Sequence, residues 1–169
     1  SNRDGQKYEV QDLPAQDEAA DMMADLNEWI DKLVNELKNN FPNKKNVKRL
    51  VANYNPNAVI EGDPLNKDNY TSYSINKGQI LVFCIRSRKN LKIHPKPLIQ
   101  FVVMHELAHL ASQSIGHNKE FYDNFKFILK YAMNKKLFEV DFFDEQQGRL
   151  EYCGMDMPGN PINSVLRHK

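Results

Sequence analysis

His105, Glu106 and His109 stand in the string His105-Glu106-Leu107-Ala108-His109, and His117 follows eight positions after His109. Positions i and i+4 of a helix stack on one face, about 5–6 Å apart at Cβ. Two imidazoles so placed can close on one tetrahedral ion, with metal–nitrogen bonds of about 2.0–2.1 Å for zinc. Glu106 is turned about 100° from His105 around the helix, so it flanks such an ion instead of binding it. That is the position of a general base that takes a proton from a water polarised by the metal. A third histidine from beyond the turn completes a set of three and leaves a fourth position open. The chemistry these spacings describe is hydrolysis at a single Zn²⁺ ion.

The setting of the string strengthens this reading. A buried histidine is commonly a core residue with a satisfied hydrogen bond, but here three of the five histidines fall between residues 105 and 117. The helix around them is apolar on nearly every side, through Leu98, Ile99, Phe101, Val102, Val103, Met104, Leu107, Ala108, Leu110 and Ala111. A helix that is hydrophobic all round is buried. Two imidazoles and a carboxylate buried there without partners would cost several kcal/mol, on the order of 2–7 for each unpaired group. A metal removes that cost. His117 follows Gly116, which as a C′ residue would reverse the chain and return His117 to the pair. Glu120 is the rival third ligand; otherwise it is a favourable acid in the first turn of the next helix.

The elements that must position these groups follow from periodicity. Residues 1–15 are polar and aperiodic and predict a flexible arm, with Ser1-Asn2 reading as a tag remnant that leaves an upstream anchor open. Asp17 to about Asn40 predicts a helix, with Met22, Leu26, Ile30, Leu33, Val34 and Leu37 inward and Trp29 alongside. Val47–Tyr54 is a strand candidate. Tyr70–Ile75 and Gln79–Arg86, joined by Asn76-Lys77-Gly78, predict a hairpin. The histidine helix starts after His94-Pro95-Lys96-Pro97 and is expected to run to about Ile115. Asn118 is the N-cap of a further helix to about Asn134, with Phe121, Phe125, Ile128 and Leu129 inward. Leu137–Gln147 is a short last helix, and 151–169, with Gly154, Pro158, Gly159 and Pro161, is a loop-like tail. One domain over 16–150 is the expected organisation.

At His105-Glu106-Leu107-Ala108-His109 followed by Gly116-His117-Asn118-Lys119-Glu120-Phe121, the chain resembles the WLM and SprT-like group of small zinc metallopeptidases. In that group HExxH is joined to a third histidine shortly before an aromatic residue on the next helix. The resemblance spans about residues 65–135. It implies an α+β, zincin-like fold: an N-terminal helix, a small antiparallel sheet of about three strands, a central buried HExxH helix and a packing helix. It also implies proteolysis, and in several members action on proteins crosslinked to DNA.

The expected reaction is therefore peptide-bond hydrolysis, with His105, His109 and His117 as ligands and Glu106 as catalytic base. Tyr152 and His94 are the candidates for steadying an oxyanion or contacting substrate. The strand Gln79–Arg86 is a candidate for accepting an extended polypeptide as an added strand, unless its edge is already covered. Arg86, Arg88, Lys89, Lys92 and Lys96 form a basic run that, with Lys44, Lys45, Lys48 and Arg49, offers a patch for DNA phosphate. At a net charge of +1 a solvated loop is the favoured reading of that run. Two alternatives remain: a metal-dependent nuclease or RNA-processing protein, in which the glutamate is superfluous, and a non-catalytic zinc-stabilised binding module. The two cysteines make no disulfide framework. Cys84 reads as a buried small hydrophobe and Cys153 as a turn residue, which favours a reduced, intracellular (cytoplasmic or nuclear) setting. No membrane segment is visible, and a monomer is expected.

Overall fold

Apolar side chains spaced alternately three and four residues apart carry the first helix, α1 (Gln16–Asn40). Ala19, Met23, Leu26, Ile30, Leu33 and Leu37 are all fully buried along it, with Met23 taking the inward place expected of Met22. Trp29 Nε1 donates to Leu137 O at 2.8 Å and so ties α1 to the far end of the chain. The computed structural model describes residues 1–56, 58–64, 72–146, 149–157 and 159–169. Tyr70 and Thr71 of the expected hairpin, and Gln147 of the expected last helix, lie outside those residues.

Residues 45–53, expected as a strand, form helix α2 (Lys45–Asn53). Val47 and Leu50 are buried and Val51 packs beside them, an i, i+3, i+4 stripe that suits a helix as well as valines suit a strand. The sheet consists of β1 (Val59–Glu61), β2 (Ser72–Ile75) and β3 (Ile80–Phe83), in the order β1-β3-β2. It has three strands as expected but is mixed: β2 pairs antiparallel to β3, with Tyr73 opposite Val82, and β1 pairs parallel to it. The β2–β3 turn runs through Asn76, Lys77 and Gly78 with positive φ at all three. At Gly78 a Cβ would lie 2.2 Å from Asn53 O, so only glycine lets this turn seat against the end of α2.

Helix α3 (Lys96–Ala111) is the central, buried element, and α4 (Lys119–Asn134) packs along it. Asn118 caps α4 as predicted, its side chain accepting the Phe121 N–H at 3.0 Å. Beyond α4 the chain holds α5 (Asp141–Glu145), shorter than the helix expected over 137–147. The segment expected as a loop-like tail instead contains β4 (Leu150–Tyr152), β5 (Met155–Met157) and α6 (Pro161–Leu166). The β4–β5 hairpin is pinned by a disulfide between Cys84 and Cys153, so these are neither a free core thiol nor a free turn thiol. The intracellular expectation rested on unpaired cysteines and loses that support. No helix among the described residues is long and apolar enough to cross a membrane.

The first fifteen residues are anchored, not loose. Glu61 N donates to Glu9 O at 3.1 Å, and Gln11 N donates to Glu61 Oε2 at 2.8 Å. The anchor is a fully buried ion pair, Arg86 Nε to Glu61 Oε1 at 2.6 Å, with Arg86 also donating to Pro14 O. Arg86 is therefore no part of a surface patch. Of its neighbours in the basic run, Lys96 faces Asp25 at 3.1 Å and Lys89 lies 3.9 Å from Asp156. Removing one partner of a buried pair strands the other charge. Arg86→Ala should thus lower the unfolding free energy by about 3–5 kcal/mol. Urea denaturation reads this directly, and a wild-type midpoint in the variant would refute the anchor.

Candidate metal centre and its cleft

Helix α3 stops at Ala111, four residues short of the expected Ile115, because side chains from other elements take its last carbonyls. Asn53 Nδ2 donates to Leu110 O at 2.9 Å, and Arg49 Nη1 donates to Ala111 O at 2.7 Å. Lys77 Nζ donates to His109 O, Ser112 O and Ser114 O at 2.8, 2.9 and 3.0 Å. Positive groups at a helix C-terminus satisfy orphan carbonyls and suit the dipole. The chain leaves α3 through Ser112, and Gly116, at φ 96°, lies within the connecting loop and not at the helix end.

Glu120 organises that loop from the first turn of α4. Its carboxylate accepts the Gln113 N–H at 2.9 Å, the Ser114 N–H at 3.0 Å and the Ser114 hydroxyl. The Ser114 hydroxyl, then the two backbone donors, outweigh desolvation and hold its pKa down at about 2. A lowered carboxylate pKa stabilises the fold above the ordinary value of 4.5, and that contribution disappears as pH falls toward 2. Glu120 is thus a loop fastener and not the third ligand.

The loop returns His117 to the two helix histidines. His117 Nε2 lies 3.1 Å from His105 Nε2 and 3.2 Å from His109 Nε2. Nitrogens bound to one tetrahedral zinc at about 2.0–2.1 Å are separated by about 3.3 Å, so the observed spacing fits a single ion. His105, His109 and His117 form the metal-capable cluster found among the described residues. Burial first, then the neighbouring His105, His117 and Lys77, pushes the His109 pKa down to about 4, and burial likewise lowers that of His117. Both are neutral at pH 7, the form that binds a metal. Phe121 forms the floor, stacked on His109 with centroids 4.3 Å apart, edge-to-face with His105 and tilted against His117.

Glu106 is buried beside the triad, with Oε1 3.2 Å from His105 Nδ1. When Nε2 faces a metal, Nδ1 carries the proton and donates to Glu106, which sets the ring's orientation. A carboxylate has four lone-pair sites, so this bond leaves Glu106 able to accept a further proton. The triad and Glu106 open on a cleft of about 670 Å³. Ser72, Tyr73 and Ser74 of β2 line it, as do Ile115 and Gly116 of the loop. Strand β2, not β3, borders the cleft. Strand β3 is paired on both sides, so its edge is already covered, the alternative open for Gln79–Arg86.

Tyr152 lines a side recess with Glu106, and its hydroxyl donates to Cys84 O at 2.6 Å and bonds the Ser72 hydroxyl. Burial raises its pKa, so it stays a neutral phenol. His94 is not brought to the cleft. It is buried, and its Nε2 accepts the Cys153 N–H at 3.0 Å, next to Glu151. Residues missed by the sequence reading are Lys77, Ser72, Ile115 and Met155. Their only local signal is the polar alternation of Ser72-Tyr73-Ser74.

The fold and site together define an α+β protein with a three-histidine metal-capable centre on a buried helix. No family model matches the chain. Its structure is similar to that of Wss1 from Saccharomyces cerevisiae, with a TM-score of 0.56 over 76% of this chain and 89% of that one, at 16% identity. This likeness shows a WLM-like fold. The chain belongs to the family of "Uncharacterized protein R325" of Acanthamoeba polyphaga mimivirus, which is 31% identical over 152 residues, 88% of this chain and 75% of that protein. "Uncharacterized protein 042R" of Invertebrate iridescent virus 3 is 34% identical over 68 residues, 40% of this chain and 42% of its own length. "Uncharacterized protein 136R" of Invertebrate iridescent virus 6 is 33% identical over 70 residues, 40% of this chain and 39% of its own.

If Glu120 fixes the loop that presents His117, Glu120→Ala should weaken Zn²⁺ binding by roughly tenfold, the usual cost of losing support behind a ligand. Competition with a chromophoric chelator measures it. Unchanged affinity would show that the loop holds His117 without the carboxylate.

Proposed function

We propose that this chain is a zinc metallopeptidase that hydrolyses polypeptide substrates. The observation that carries the reading is the convergence of three Nε2 atoms beside a buried carboxylate at the mouth of a cleft. The WLM-like fold and the motif's resemblance to WLM and SprT-like metallopeptidases support it. His105, His109 and His117 would hold the metal. When bound, Zn²⁺ supplies Lewis-acid polarisation of a carbonyl and acidifies a ligated water.

The chain's own residues do the remainder. Glu106 takes a proton from the attacking water and passes it to the departing amine. Its burial keeps competing solvent from the carboxylate. The edge strand β2 receives an extended substrate by backbone pairing, which aligns a peptide across the triad without reading its sequence. The Ser72–Tyr152 hydroxyl pair, with both its protons committed to Cys84 O and to each other, braces the wall shared with Glu106. Among the described residues lining the cleft the one lysine or arginine, Lys77, is committed to three carbonyls. A polypeptide therefore suits the cleft better than a nucleic acid, and proteins that sit on DNA remain within the proposal as substrates.

Glu106→Gln should keep stoichiometric zinc and the wild-type fold while lowering cleavage of reduced, unfolded casein by at least 10²-fold. Gel and mass-spectrometric assays of both proteins measure this. Cleavage at the wild-type rate would remove Glu106 as the base. Cleavage of RNA but not casein by the zinc-loaded wild type would replace the proposal with a nuclease.

A further inference from the structure

The described residues expose three large hydrophobics, and two of them, Ile115 and Met155, line the cleft. Ile115, 90% exposed, lies on the loop that carries His117. Met155, 49% exposed, sits on β5 and lines the cleft. Ile75, 39% exposed, ends β2. Single exposed apolar residues scattered over a surface need no explanation, but two lining one cleft, with a third at the end of its β2 wall, mark a surface built for apolar contact.

The cleft also has a side recess of about 150 Å³. Ser72, His105, Glu106 and Met155 line both cavities, so the recess opens from the site itself. Its remaining walls are Phe101 and Val102, one turn before His105 on α3, with Tyr152 and Met157 of the β4–β5 hairpin. An apolar cavity of about 150 Å³ accepts a group the size of benzene. Two methionine walls can adjust to branched, linear or ring-shaped occupants. Among the described residues lining the recess the one carboxylate is Glu106, and the apolar walls penalise burial of a carboxylate or an ammonium group alike.

Resting on the peptidase reading above, we infer that this recess is a specificity pocket that admits one Leu, Ile, Met or Phe side chain of an extended substrate beside the scissile bond. The exposed apolar rim grips flanking apolar residues. The substrate class is thus segments that a folded protein keeps inside, which become available when it unfolds. The Cys84–Cys153 disulfide and the buried Tyr152 hold the hairpin wall against β3, so the pocket has a fixed floor and an adaptable methionine side.

The test uses the full chain as zinc-loaded Glu106→Gln, with [¹³C-methyl]methionine, and Gly/Ser-rich decapeptides that carry a single Leu, Asp or Lys. The Met155 and Met157 methyl signals, assigned through Met→Leu substitutions, should move with the Leu peptide alone. That peptide should bind at least tenfold tighter than the other two, the range a hydrophobic pocket discriminates. Val102→Phe fills the recess and should erase this preference with zinc content unchanged. Should that variant misfold, Met157→Asp should abolish the preference from the other wall. Equal affinity for the Leu and Asp peptides, or unmoved Met155 and Met157 methyls, overturns the pocket. Wild-type cleavage of the Leu peptide is scored separately. Cutting without methyl shifts sinks the pocket and keeps the peptidase, whereas methyl shifts without cutting keep the pocket and sink the peptidase.

Discussion

The end of α3 is the constraint on which the site depends. A buried helix must find donors for its last carbonyls, and here Asn53, Arg49 and Lys77 provide them from two different elements. That termination turns the chain out through Ser112 instead of letting the helix run on. Ser112 closes the end itself, its hydroxyl donating to Ala108 O at 2.7 Å and accepting from Asn124 Nδ2 at 2.8 Å. A helix extended to Ile115 would displace the short loop from which His117 now meets His105 and His109. The metal-capable triad is therefore a consequence of capping as much as of the HExxH string.

The same capping accounts for features that look unrelated. Helix α2 has to be a helix for Arg49 and Asn53, four apart, to face α3 from one side. The β2–β3 turn must approach α2 as closely as Gly78 allows for Lys77 to reach three carbonyls at once. Glu120 then fastens the loop from the α4 side, and Arg49 lies 3.7 Å from that carboxylate. Three segments distant in sequence thus converge on one helix end, and the cleft forms where they leave space.

What was legible in the sequence divides along local and non-local lines. The HExxH helix, the hairpin around Asn76-Lys77-Gly78, the Asn118 cap and the inward face of α4 are specified by neighbouring residues, and each stands where periodicity and capping put it. The end of α3 was not legible, because Ser112 terminates the helix only with side chains from α2 and the turn in place. Val47–Tyr54 looked like a strand because valine suits pleated surfaces; its helical role is set by contacts with α3. Cys84 and Cys153 are separated by 69 positions, and only the fold makes them partners. Arg86 looked like a surface cation because nothing near it in sequence announces the buried Glu61.

One claim underlies this account: that three imidazoles from a helix and its following loop bind a single ion. Cobalt substitution tests it most directly, since Co²⁺ reports both stoichiometry and geometry through its visible absorption. The account predicts one Co²⁺ per chain with a tetrahedral spectrum, and loss of that spectrum in His117→Ala while the fold persists. Unchanged binding and spectrum in His117→Ala would contradict it.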